Sequence, residues 1–113
     1  MSWNSAEVRF VDREQIIREL RDAVTEMRRR YPEIKRVFLF GSLVNGTRTA
    51  DSDADLIIVV EKDFENFFES CRYQIYTDAI PVDSLVYSER EFKQLIADPK
   101  GFVAENVASA VEL

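Results

Sequence analysis

The sequence predicts an α+β domain, a small mixed β-sheet covered by helices. Two short, fully apolar runs, Val37-Phe38-Leu39-Phe40 and Leu56-Ile57-Ile58-Val59-Val60, have the composition of buried strands. Amphipathic segments with apolar residues at helical spacing lie between and around them. Strands interleaved with helices in this way build a sheet with helices packed on it.

Taken in order, the first element is a helix from about Asp12 to Tyr31. Ile16, Ile17, Leu20, Val24 and Met27 recur at helical spacing, Asp12 with Gln15 resembles a capping box, and Pro32 ends the helix. The Arg28-Arg29-Arg30 cluster reads as a solvated last turn that suits the helix dipole. The strand at 37–40 leads directly into Gly41-Ser42 and a short helical turn near Asn45-Gly46. After the second strand, Asp63 to about Ile75 reads as an amphipathic helix, with Phe64, Phe67, Phe68 and Cys71 turned to the core. Pro81 to Tyr87 is a third strand, with proline at its start where a missing N–H is tolerated. Ser88 and Glu91 form a capping box for a helix over Glu89–Ala97, stopped by Asp98-Pro99. A last helix spans about Phe102–Val111.

A length of 113 residues fits one domain over 1–113, large enough to bury a core without cross-links. The apolar fraction of 46% argues against disorder. No apolar run is long enough to span a bilayer, and the first residues carry no secretory signal, so no membrane is expected. A single cysteine, Cys71, allows neither an intrachain disulfide nor a zinc cluster, and a cytoplasmic setting follows as the default. The absence of histidine removes Ser-His-Asp and Cys-His chemistry. Catalysis must then use carboxylates, hydroxyls, lysine, tyrosine or metal ions. The net charge of −6 argues against nucleic acid as a direct partner, because such binding depends on neutralising phosphates.

Chemistry concentrates between residues 41 and 55 and at Asp83. Average usage would give about eight glycines in such a chain. There are three, and Gly41 and Gly46 fall close together. Glycine suits a tight turn or the close approach of a ligand. Gly41 follows a buried strand and opens a helical turn, where free N–H groups favour an anion, and Ser42 adds a hydroxyl. Asp51-Ser52-Asp53-Ala54-Asp55 then runs into the second strand. In extended chain, Asp53 and Asp55 share a face roughly 6–7 Å apart. Carboxylates so placed repel unless a cation lies between them, and magnesium takes hard oxygen ligands of this kind. Asp83 stands among Val82, Leu85 and Val86, an uncommon place for an acid. If its strand neighbours the second one, Asp83 joins the same site. Each feature also has a bland reading: a polar turn before a strand for Asp51 to Asp53, an exposed edge position for Asp83. Their combination favours the site.

Two other motifs fail. Asp51, Asp53 and Asp55 match the first ligands of an EF-hand, but the glycine position is Leu56 and the final glutamate position is Lys62. A Walker P-loop lacks its Gly-Lys-Ser/Thr.

Gly41-Ser42-Leu43-Val44-Asn45-Gly46, a five-residue gap, and Ser52-Asp53-Ala54-Asp55-Leu56 resemble the nucleotidyltransferase signature of the DNA polymerase β superfamily, with Pro81-Val82-Asp83 as its later aspartate. The closest likeness is to the minimal nucleotidyltransferases. The resemblance implies a polymerase β palm-like fold and transfer of a nucleoside monophosphate, AMP from ATP, with release of pyrophosphate. It implies that Gly41 and Ser42 hold the β- and γ-phosphates and that Asp53, Asp55 and Asp83 hold two Mg2+ ions. Asp83 would also help to accept the proton of the attacking hydroxyl. Many relatives have arginine between the two glycines, whereas Leu43-Val44-Asn45 is uncharged. Arg48 is the expected substitute phosphate contact, with Ser52 beside the nucleotide.

Larger relatives carry an added domain for the acceptor, for which this chain has no residues. Minimal members are often paired with a HEPN-domain protein as antitoxin and toxin, and some transfer AMP to a tyrosine of the toxin. A HEPN-domain partner is therefore the expectation, and an open sheet edge leaves room for a homo-oligomer. The competing reading is a binding module that masks a partner by contact alone. A plain metal- or nucleotide-sensing domain is a third.

Overall fold

The computed structural model describes residues 13–45 and 53–113. Helix α1 spans Arg13–Arg30 and strand β1 Ile34–Phe40. A one-turn helix α2 covers Ser42–Asn45, and strand β2 covers Ala54–Val60. A crossover follows, holding a one-turn helix α3 at Phe67–Ser70 and a 3-10 turn at Cys71–Tyr73. Strand β3 is Val82–Ser88, helix α4 Glu89–Ile96, helix α5 Phe102–Ala108 and strand β4 Val111–Glu112.

The sheet has the order β3-β2-β1-β4. β1 is antiparallel to both β2 and β4, and β2 is parallel to β3. The sheet is thus mixed, as expected. β2 is central and buried from Leu56 to Val60, which is why that run shows no apolar–polar alternation.

The alternation is spatial. Val37, Leu39, Leu56, Ile58 and Val60 face one core with Ile16, Leu20 and Val24 of α1. Phe38, Phe40, Ile57 and Val59 face a second core closed by Phe92 of α4 and Val103 of α5. Phe38 stacks on Phe92 with ring centroids 5.7 Å apart. Ser88 caps α4 in a complete capping box with Glu91. Gly101 opens α5.

Two expectations are corrected. The segment 63–75 is not one amphipathic helix packed through Phe64, Phe67, Phe68 and Cys71. Phe67 and Phe68 are 76% and 81% exposed, and Cys71 is exposed as well. The crossover is anchored instead by Tyr73, Ile75 and Ile80, all buried, with Phe64 half-buried beside Tyr73. Tyr73 donates its hydroxyl proton to Glu33 at 2.7 Å, so its polar end is satisfied inside the core. The last helix stops at Ala108 rather than Val111. Val111-Glu112 pairs with Leu39 and Phe38, and Arg36 grips Glu112 through two hydrogen bonds of 2.8 and 2.9 Å. Asp12, the expected cap of the capping box with Gln15, lies outside the described residues.

Candidate active site

β1 ends where β2 and β3 begin, so one end of the sheet gathers the C-terminus of β1 and the N-termini of its two neighbours. Phe40 is paired with Asp55, and Asp55 with Asp83. Parallel neighbours in register point their side chains to the same face, about 4.8 Å apart from strand to strand. The N–H of Ala54 donates to the Pro81 carbonyl at 2.8 Å and locks the starts of β2 and β3 together. Ala54 is fully buried between exposed Asp53 and half-buried Asp55, so the two acids leave the Ala54 face together.

Gly41 closes the site from β1. Its φ of +87° is the left-handed region that disfavours any side chain. A Cβ added there would lie 2.5 Å from Oδ2 of Asp55. The backbone at Gly41 therefore approaches the Asp55 carboxylate more closely than any other residue type permits. α2 follows, with Leu43 buried in the core beneath it. Leu43 accounts for part of the uncharged stretch between the glycines, since that position is a packing anchor. Arg13 Nε donates to the Leu43 carbonyl at 2.8 Å and fastens the turn to α1. Arg13 was not singled out from the sequence, where it reads as one more polar residue at a helix start.

Electrostatics mark Asp55. Its carboxyl is pushed above the usual carboxylate range by burial first, then by the charges of Asp83 and Asp53. Among the described residues no ion pair neutralises these three acids. Nor, among the described residues, does any group of three or more acids, cysteines or histidines form a ready cage for an ion. An acidic, uncompensated carboxylate pair beside open backbone suits a hard cation that takes much of its shell from water and phosphate.

Of the expected site residues, Gly41, Ser42, Asp53, Asp55 and Asp83 meet at this end of the sheet. Arg48 and Ser52, with Gly46 and Asp51, lie outside the described residues. Phe40 and Phe102 were not assigned any place at the site. Phe102 is 57% exposed and makes an edge-on contact with Phe40 at 5.8 Å, at the rim beside Asp55.

The class of protein that carries this mixed sheet and acidic end is given by the family comparison. Residues 17–109 match the family described as Nucleotidyltransferase domain, and the chain belongs to it. It is 30% identical over 78 residues to a candidate protein adenylyltransferase of Methanocaldococcus jannaschii, covering 68% of this chain and 78% of that protein. Its fold is shared with a candidate nucleotidyltransferase from Sulfolobus solfataricus, known from a crystal structure. The TM-score is 0.57 at 22% identity, over 99% of this chain and 87% of the other. Among the described residues no helix is long and apolar enough to cross a membrane.

Proposed function

We propose that this nucleotidyltransferase moves AMP from ATP to a hydroxyl on a partner protein and uses Mg2+ at Asp53, Asp55 and Asp83. The observation that carries the reading is the register of Asp55 with Asp83, closed by the left-handed Gly41. Two Mg2+ ions held there would neutralise the triphosphate and the leaving pyrophosphate.

The chain's own part is positioning. The Gly41-Ser42 backbone and the Ser42 hydroxyl orient the β- and γ-phosphates, with Arg48 and Ser52 as further contacts. The acceptor oxygen bonds to the α-phosphorus, the bond from that phosphorus to the leaving pyrophosphate oxygen breaks, and the hydroxyl proton passes to Asp83. Positioning and charge neutralisation carry most of such a transfer, so a site without histidine suffices.

A protein acceptor is favoured by the name of the archaeal relative and by the acidic net charge, which suits a basic protein better than nucleic acid. The partner we propose is a HEPN-domain protein, with this chain as its antitoxin. The exposed Phe67 and Phe68 favour a second reading, a module that masks its partner by contact.

Titration of ATP with and without magnesium, on wild type and Asp53→Asn, tests the first step. Magnesium-dependent binding that weakens at least tenfold in the variant is expected. Wild type that binds no ATP under any metal would overturn the catalytic reading. Labelling of a co-expressed HEPN protein from α-labelled ATP then separates transfer from masking, since masking survives Asp53→Asn.

A further inference from the structure

Among the described residues β3 is hydrogen-bonded on one side only, to β2, and forms an edge of the sheet. Beside its free edge lies a groove of about 730 Å³. One wall is the run Ser84 to Ser88. That consecutive residues line it, rather than alternate ones, shows that the groove follows the strand edge and not a sheet face. The other wall is the crossover, with Phe64, Phe67 and Cys71.

Two further features set this groove apart. Ser84 is 8% exposed, and its hydroxyl is buried without a hydrogen-bond partner among the described residues. Buried hydroxyls ordinarily find a partner. Phe67 and Phe68 stand exposed together on the crossover, with centroids 6.2 Å apart. Asp83 directly precedes Ser84 on the same strand, so a segment that continues along this edge beyond the groove, past Ser84, comes alongside Asp83.

We infer that the free edge of β3 takes an extended peptide segment of the acceptor protein as an added strand, which delivers its hydroxyl residue beside Asp83. The inference rests on the proposed function and adds the form in which the acceptor is recognised. Main-chain bonds to β3 supply register and the aromatic wall covers the alternate side chains, as in other strand additions. The occupant is fixed by charge. The charged residues of the groove are Asp63, Glu91 and Arg90, of which Arg90 is already paired with Asp63 at 3.2 Å, and the chain as a whole carries a net charge of −6. A peptide with lysine or arginine near its hydroxyl residue is therefore favoured over an acidic one. A second copy of this chain, itself strongly acidic, fits less well.

Cys71 is the chain's one cysteine and is exposed on the groove wall, which makes it a handle for blocking. The probe is an array of 13-residue peptides with a central tyrosine, serine or threonine, flanked by lysine-rich or glutamate-rich sequences. Wild type should bind lysine-flanked members at least tenfold more strongly than glutamate-flanked ones. Coupling a bulky maleimide to Cys71, or the exposed-site change Phe67→Glu, should weaken that binding at least tenfold and leave Mg-ATP binding unchanged. Hydrogen exchange at Val82–Ser88 should slow when peptide is bound. Peptide binding unaffected by both changes, or no peptide binding by a protein that still binds Mg-ATP, overturns the groove while leaving the proposed activity standing. A dimer that Phe67→Glu dissolves assigns the edge to a second copy and overturns it too. Loss of Mg-ATP binding in wild type instead strikes the activity itself.

Discussion

Replacing Gly41 with alanine tests the closest approach in the site. At φ +87° a side chain costs about 1–2 kcal/mol in backbone strain. The stiffer unfolded chain of an alanine variant offsets roughly 0.4–1 kcal/mol of that. The new Cβ would also lie 2.5 Å from Oδ2 of Asp55, against the 3.4 Å at which ordinary contact begins. Because the obstacle is the tip of a side chain, the carboxylate moves and the backbone does not. A forced rotamer adds about 0.5–1.5 kcal/mol. The net loss should be about 1–2 kcal/mol, read from urea midpoints at unchanged m. The functional loss should be larger than that figure suggests. A carboxylate moved by close to 1 Å at a phosphoryl-transfer site costs on the order of 100-fold in rate. Gly101→Ala is the control, since that residue has φ −75° and its Cβ would meet the Asp98 carbonyl at 3.2 Å. The backbone carbonyl there must give by a few tenths of an ångström and alanine is a poorer N-cap than glycine, so a stability loss of up to about 1 kcal/mol is expected with activity unchanged, and rate and Mg-ATP binding distinguish the two variants. If Gly41→Ala is as stable as the control and binds Mg-ATP like wild type, the positive φ and the contact with Asp55 are not the constraints described.

Other outcomes follow from the same geometry. Asp55→Asn removes one of two like charges in register and should raise stability by a few tenths to about 1 kcal/mol in metal-free buffer while abolishing transfer; a less stable variant would contradict the repulsion. The Tyr73 hydroxyl is held protonated by burial first and by its bond to Glu33, with its pKa pushed up to about 12. Its contribution is fully present below the unfolded value near 10. Above that, the unfolded chain loses the proton while the folded chain keeps it, so stability falls as pH rises from 10 to about 12. Urea unfolding across that window should show a loss of about 2–3 kcal/mol that Tyr73→Phe abolishes. Ser88→Ala removes one arm of the capping box and should cost about 1 kcal/mol in thermal or urea unfolding, with ATP binding unchanged.

Elements that could be read from the sequence were those fixed by local chemistry. β1 and β2 are buried on both faces and therefore appear as continuous apolar runs. The box at Ser88 and Glu91 is written in four consecutive residues and starts α4 where expected. The acids were legible because an Asp-x-Asp before a strand has few structural uses, and Asp83 because it breaks an apolar strand. What decided their meeting, the parallel register of β2 with β3, is a tertiary fact. The crossover misled because Phe64, Phe67, Phe68 and Cys71 happen to recur at helical spacing. The residues that enter the core, Tyr73, Ile75 and Ile80, carry no helical period. β4 was invisible for a different reason. Two residues have no periodicity, and Val111-Glu112 becomes a strand only by pairing with β1, over 70 residues away in sequence. The groove beside β3 has no sequence signal at all, because its walls come together only through the tertiary placement of the crossover against the strand.

The two rims of this sheet are unequal. At one, a two-residue strand is clamped by the Arg36–Glu112 ion pair, a short and charged border of the kind that resists further pairing. At the other, the seven residues of β3 have no strand beyond them among the described residues. Head-to-tail stacking into fibres consumes a competent rim at both ends of every subunit, whereas a two-fold contact uses the same rim twice and stops. Growth by sheet extension is thus limited to a single added strand or a closed pair. A chain that exposes a receptive edge for its work can in this way avoid becoming the seed of its own aggregate.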